Sequence, residues 1–293
     1  MKHTKDVTIL ILILFLLTQF IGLTVIYNYI QTEQVQEKVI VMEDGKQVEK
    51  TITVEKKIWG TLPYGIERPQ FKEKISYIEI AVSLMIATVL ALFLIKLQAT
   101  NLWRIWFFLS IWFTLTIAFG AFLMQELAVI FALILAILKS FRRNILINNF
   151  SELFIYGGLA AIFVPILNVL SVFVLLILIS IYDGIAVWKT KHMIKLAKFQ
   201  TKIRLFAGLM IPYGKNKIAI LGGGDMGFSL LFAGVAFKMY GWIASIIIIT
   251  TTIALGILLV KSDKNKYYPA MPFLSAGAFI GYLIVYLISS GIF

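Results

Sequence analysis

Residues 153–188 read LFIYGGLAAIFVPILNVLSVFVLLILISIYDGIAVW, a run of 36 residues whose one charge is Asp183. As a single α-helix it would measure roughly 54 Å, against a bilayer hydrocarbon core of about 30 Å, so the chain must cross, turn and cross again. Pro165, followed by Asn168, is the natural turn, because proline lacks an amide donor and its ring clashes with the preceding helical turn. The same reasoning applies to Trp103–Lys139, where Gly120 to Glu126 supplies the break.

Further apolar runs are Val7–Tyr27, Ile75–Leu97, Ile218–Phe237, Trp242–Val260 and Pro269–Ile292. The fold expected is therefore an all-α polytopic membrane protein with nine transmembrane helices in one membrane-embedded domain, 1–293. Sixty per cent hydrophobic residues and a mean hydropathy of +0.92 leave too little polar surface to cover a soluble globule of this size. Lys2 and Lys5 precede the first run, whose length and lack of a small-residue cleavage site read as an anchor.

The net charge of +12 is distributed as topology and does not suggest nucleic acid. With the N-terminus inside, 18 of the 27 basic residues fall in cytoplasmic connections, Lys139 and the eight in 189–217 among them. The C-terminus then lies outside. Segment 28–74 is the one sizeable polar excursion, and its eight basic and eight acidic residues balance. Within it, Lys38–Met42 and Val48–Val54 flank Glu43-Asp44-Gly45-Lys46, the pattern of a small extracytoplasmic β-hairpin. In the 189–217 connection, Lys191, Lys195, Lys198 and Lys202 recur at helical spacing, as in a basic amphipathic helix at the inner lipid surface.

No cysteine is present, and the two histidines, His3 and His192, lie outside the apolar runs. A thiolate nucleophile, a serine–histidine pair within the membrane and a His-Glu-x-x-His zinc helix are thereby excluded. Carboxylates remain. Glu79, Glu126 and Glu152 fall near the ends of their spans, where snorkelling to the interface accounts for them. Asp183 and Asp225 lie deeper, about 9 and 12 Å inward from Lys189 and Lys217 at 1.5 Å per residue. Two carboxylates that meet in low dielectric share one proton, so one serves as base toward a trapped water and the other as acid toward a peptide carbonyl, with no metal or cofactor.

The neighbouring residues fit such use. Gly222, Gly223 and Gly224 clear side chains from the approach to Asp225. Lys217, Ile218, Ala219, Ile220 and Leu221 form a short stretch suited to pairing with an extended substrate by strand addition. Pro269-Ala270-Met271-Pro272 delays regular helix at the start of the last span, and irregular backbone at membrane depth belongs beside a wet cavity.

Three motifs, in order and on successive spans, resemble the presenilin and signal peptide peptidase family of intramembrane aspartyl proteases. They are Tyr182-Asp183, the glycine–aspartate signature formed by Gly222, Gly224 and Asp225 with Gly223 at its variable position, and Pro269-Ala270-Met271. The resemblance implies that Asp183 and Asp225 are the catalytic pair of an aspartic-type endopeptidase. It also implies that Tyr182 and Pro269-Ala270-Met271 help shape the site and receive substrate. Met271 stands where the family has leucine, a change close in volume. The short 189–217 connection is similar to that of archaeal members, which points to a multi-pass protein of a prokaryotic cell membrane. The partners expected are transmembrane segments or signal-peptide remnants of other proteins, membrane lipid and a possible second copy of the chain.

Two other readings use the same acids. Paired intramembrane aspartates also serve cation or proton transporters and leak channels, although no inverted repeat is evident here. Prepilin-type peptidases share the glycine–aspartate signature but lack the proline–alanine element and often carry a cysteine-rich loop.

Overall fold

The computed structural model describes residues 4–43, 46–69, 76–97, 99–142, 144–190, 196, 199–200, 205–214, 217–263 and 267–291. Among these, nine α-helices and two β-hairpins follow one another along the chain. α1 (Lys5–Tyr29) runs straight into β1 (Ile30–Glu43), which pairs antiparallel with β2 (Lys46–Trp59) in register from Ile30↔Trp59 to Glu43↔Lys46. The hairpin thus lies where the Glu43–Lys46 turn signal puts it, with each strand longer than the sequence pattern suggests.

α2 (Ser76–Lys96), α3 (Thr100–Gly120), α4 (Gln125–Phe141), α5 (Ile145–Phe163) and α6 (Val169–Gly184) follow. Both expected turns occur, at 121–124 and at 164–168. At the second, Pro165 cannot donate to the carbonyl four residues back, that of Ala161, and the Arg68 side chain supplies the missing donor at 3.1 Å. Asn168 then caps α6, its side-chain oxygen accepting from the Ser171 amide at 2.7 Å.

After α6 the chain forms β3 (Gly208–Tyr213) and β4 (Lys217–Gly222), a second antiparallel hairpin, and then α7 (Gly223–Tyr240), α8 (Ser245–Lys261) and α9 (Met271–Ser289). One sequence expectation changes here: the run beginning at Ile218 is strand as far as Gly222. In the 189–217 connection, Leu196, Phe199 and Gln200 of the stretch read as a basic helix are helical, and β3 follows that stretch. The lysines of that helix, Lys191, Lys195, Lys198 and Lys202, lie outside the described residues.

Among the described residues, six helical stretches are long and apolar enough to cross a membrane: Lys5–Tyr29, Thr100–Gly120, Ile145–Ile166, Val169–Lys189, Gly223–Lys261 and Met271–Ser289. Gly223–Lys261 holds both α7 and α8, which part at Gly241 where φ is +61°. α4 has 17 residues, and the apolar part of α2 is shorter still, so length and composition alone do not carry the count to nine.

α1 sits at the centre, packed on α5, α7 and α8, with Phe15, Leu23 and Ile26 wholly buried in the main core. Small residues let helices close on one another. A Cβ on Gly158 of α5 would overlap the Thr114 carbonyl of α3, and one on Gly277 of α9 would press on the backbone of α8. Gly158→Val should therefore force α3 and α5 apart, at a cost of about 1–3 kcal/mol or more. A thermal melt of the detergent-purified protein, several degrees below that of the native chain, is the expected result.

Candidate functional site

Asp183 lies in the last turn of α6, just before a π-helical turn at Ile185–Lys189, and is 7% exposed. Its carboxylate accepts a hydrogen bond from the Met271 amide at 3.1 Å. Met271 opens α9, and the first amides of a helix have no partner within it. Pro272 has no amide to satisfy, so the proline pair reduces the unpaired donors at this helix end and leaves the Met271 N–H to the carboxylate. Ser180 of α6 and Ser275 of α9, with hydroxyls 2.8 Å apart, hold the same two helices together.

Asp225 is the third residue of α7, whose N-cap is Gly222 in extended conformation (φ −67°, ψ 146°). From that position its carboxylate turns back to the Gly222 backbone amide, as the acidic member of a capping box does. The two aspartates thus come from helices in contact, α6 and α7, and both open on one cavity of about 1240 Å³. They are close enough for the charge of one to bear on the other. The cavity reaches from α2 and α3 across α5 to the start of α9, with Ala87, Phe107, Tyr156, Phe228 and Ala270 among its walls.

The residues expected to bind substrate divide. Gly222, Gly223, Gly224, Ile220 and Ala270 line the cavity. Lys217, Ile218, Ala219, Leu221, Tyr182, Pro269 and Met271 do not: Ala219 and Leu221 are core residues, Met271 is buried with its amide on Asp183, and the Tyr182 hydroxyl reaches Thr88 of α2 at 3.4 Å.

The β3–β4 hairpin has one edge covered and one open. On the covered edge, Asn149 of α5 behaves like a strand residue: its side chain donates to the Met210 carbonyl at 2.8 Å and accepts from the Met210 amide at 2.9 Å. Asn148 donates to the Gly208 carbonyl at 2.9 Å. Since Met210 and Gly208 turn their backbone groups outward, their register partners Ile220 and Gly222 turn theirs outward on β4 as well. No further strand pairs that edge among the described residues, and both Ile220 and Gly222 border the cavity.

One expectation is overturned. Glu152 does not snorkel: it is 1% exposed, forms an ion pair with Lys139 of α4 and accepts a hydrogen bond from the Tyr156 hydroxyl. Lys139, counted among the cytoplasmic charges, is itself only 5% exposed. Position within an apolar run sets a residue's distance along its own helix but not which neighbour it faces, and here α4 and α5 turn these charges toward each other. Asn148, Asn149 and Tyr156 also passed unremarked. Two adjacent amides at the start of an apolar run were the available signal.

A family model, described as signal-peptide peptidase, presenilin aspartyl protease, matches residues 66–224, more than half of the chain. The chain belongs to this family. The matched residues include Asp183 and the three glycines and end one short of Asp225. The chain is also similar to structures of a presenilin family intramembrane aspartate protease in the C222 and P2 space groups, at 18% identity in each case. The TM-scores are 0.61 and 0.60, over 94% of this chain and 94% of the first, and 95% of this chain and 96% of the second. No curated protein matches. Family and fold together indicate an integral, multi-pass intramembrane aspartyl protease, and they lend no support to a transporter.

Asn149→Leu would leave the Met210 amide and carbonyl without their partners, a cost of about 1–3 kcal/mol. The expected outcome is faster hydrogen exchange at the amides of β3, measured by mass spectrometry, with a lower melting temperature.

Proposed function

We propose that the protein is an aspartic endopeptidase that hydrolyses peptide bonds within transmembrane segments or signal-peptide remnants, with Asp183 and Asp225 as its catalytic pair. The observation that carries this reading is the convergence of two carboxylates, from adjacent helices, on one cavity bordered by an unpaired strand edge. Like charges this close in a poorly solvated site hold one proton between them. The ionised aspartate takes a proton from a water, whose oxygen attacks the scissile carbonyl carbon, while the protonated partner gives its proton to the carbonyl oxygen. Collapse of the tetrahedral diol returns a hydroxyl proton to the now ionised partner and expels the amine, which takes the proton held by the first aspartate as the C–N bond breaks.

A peptide bond inside a helix is shielded by its own hydrogen bonds, so the substrate must be drawn out before attack. The outward backbone groups of Ile218 and Ile220 suit an extended segment added beside β4, which would bring its next residues to the glycines ahead of Asp225. Nine crossings with a cytoplasmic N-terminus, α2 and α4 included, would put the aspartates toward the inner leaflet.

Asp183→Asn and Asp225→Asn should each lower cleavage of a labelled transmembrane peptide by about 10²–10⁴-fold without loss of fold. Native-like turnover in either variant refutes the assignment. Ile220→Pro removes one outward amide while sparing the pairing with β3, and proline is tolerated on such an edge. It should raise KM about tenfold, the worth of one hydrogen bond. An unchanged KM would remove strand addition from the mechanism.

A further inference from the structure

A glutamate–lysine pair buried beside an aspartate dyad calls for a reason, because such a pair is a poor source of stability compared with apolar residues of similar volume. Both oxygens of Glu152 are engaged, one by Lys139 and the other by the Tyr156 hydroxyl. Glu152 and Tyr156 are four residues apart on one face of α5, so the carboxylate locks the phenol in place. Both border the cavity that holds Asp183 and Asp225. Without the lysine, Glu152 would set an uncompensated negative charge beside the pair.

The phenol is pressed on α7 at its first turn. A Cβ on Gly223 would overlap the Tyr156 hydroxyl, and one on Gly227 would lie 3.4 Å from the ring. Gly223 and Gly227 are one helical turn apart, and Asp225 projects from the opposite side of that turn, toward the cavity. From α1, the wholly buried Gln19 donates to the Met226 carbonyl at 3.0 Å. The turn that carries Asp225 is thus held on two sides by buried polar side chains.

We infer that Tyr156, held by the Lys139–Glu152 pair, is a positioning residue for Asp225: it sets the depth and rotation of the first turn of α7. This rests on Asp225 acting in catalysis, as proposed above. The chemical step is sensitive to misplacement of a reacting group on the scale of 1 Å, whereas the outward backbone groups of β4 that would hold substrate are unchanged, so loss of the tether lowers kcat and spares KM.

The test uses the full-length protein in detergent, with a labelled transmembrane peptide and with hydrogen exchange read over residues 222–230. Tyr156→Phe keeps the ring and the ion pair and removes only the tether. It should lower kcat about tenfold with KM within about twofold, and quicken exchange in the first turn of α7. Lys139→Met/Glu152→Gln removes the charges but keeps an acceptor for the hydroxyl, and should stay within about threefold of native kcat with native exchange. Lys139→Met/Glu152→Leu leaves no acceptor; it should fall as far as Tyr156→Phe, which then adds nothing in that background. Native kcat and exchange in Tyr156→Phe, a loss confined to KM, or equal losses in the two double variants would overturn the inference. Should the double variants not fold, Tyr156→Phe decides alone. If the native protein cleaves no peptide, the protease reading fails, and exchange still decides whether Tyr156 positions the turn.

Discussion

Backbone amides at membrane depth need partners, and two helices of this protein begin at the cavity, where carboxylates supply them. α9 meets Asp183 through the Met271 amide at 3.1 Å, and α7 has as its N-cap Gly222, whose amide faces Asp225. A carboxylate at the start of a helix is favoured by the partial positive charge there, so each aspartate is held by a helix end as well as by its own chain position. The irregular stretches ahead of both helices, the triple glycine and the two prolines, follow from that constraint: regular helix at these points would close the cavity and leave the carboxylates with no donors.

α5 is the frame on which the site is aligned. Along its length it offers Asn148 and Asn149 to β3, Glu152 to Lys139, Tyr156 to the first turn of α7, and Gly158 to α3. A strand edge, an acid and a helix start are thereby referred to one rigid element, which is the condition for holding a constellation within the tolerance that chemistry needs. The covered edge of β3 also has a functional corollary. Because the asparagines occupy it, an incoming strand has only the β4 side to pair with, and that side borders the aspartates.

Membership of the presenilin and signal-peptide peptidase family rests on a match that holds Asp183 and the glycines, and the likeness to solved structures extends the fold over nearly the whole chain. At 18% identity the arrangement of elements is shared.

Hydropathy and length, read along the chain, determined the membrane class, the turns at Pro165 and at Gly120–Glu126, the hairpin around Asp44-Gly45 and the two candidate acids, because each is set by residues close in sequence. Tertiary structure decided the rest. Glu152 and Lys139 sit near span ends and read as interfacial until α4 and α5 are seen to turn them inward. β3, short and interrupted by Pro212, carries no strand signal apart from its pairing with β4 and its asparagine edge. Met271 gives its amide to Asp183, a contact between segments 88 residues apart. These outcomes depend on which helix faces meet, and the orientation of a face is set by packing between segments distant in sequence, a quantity that local periodicity does not encode.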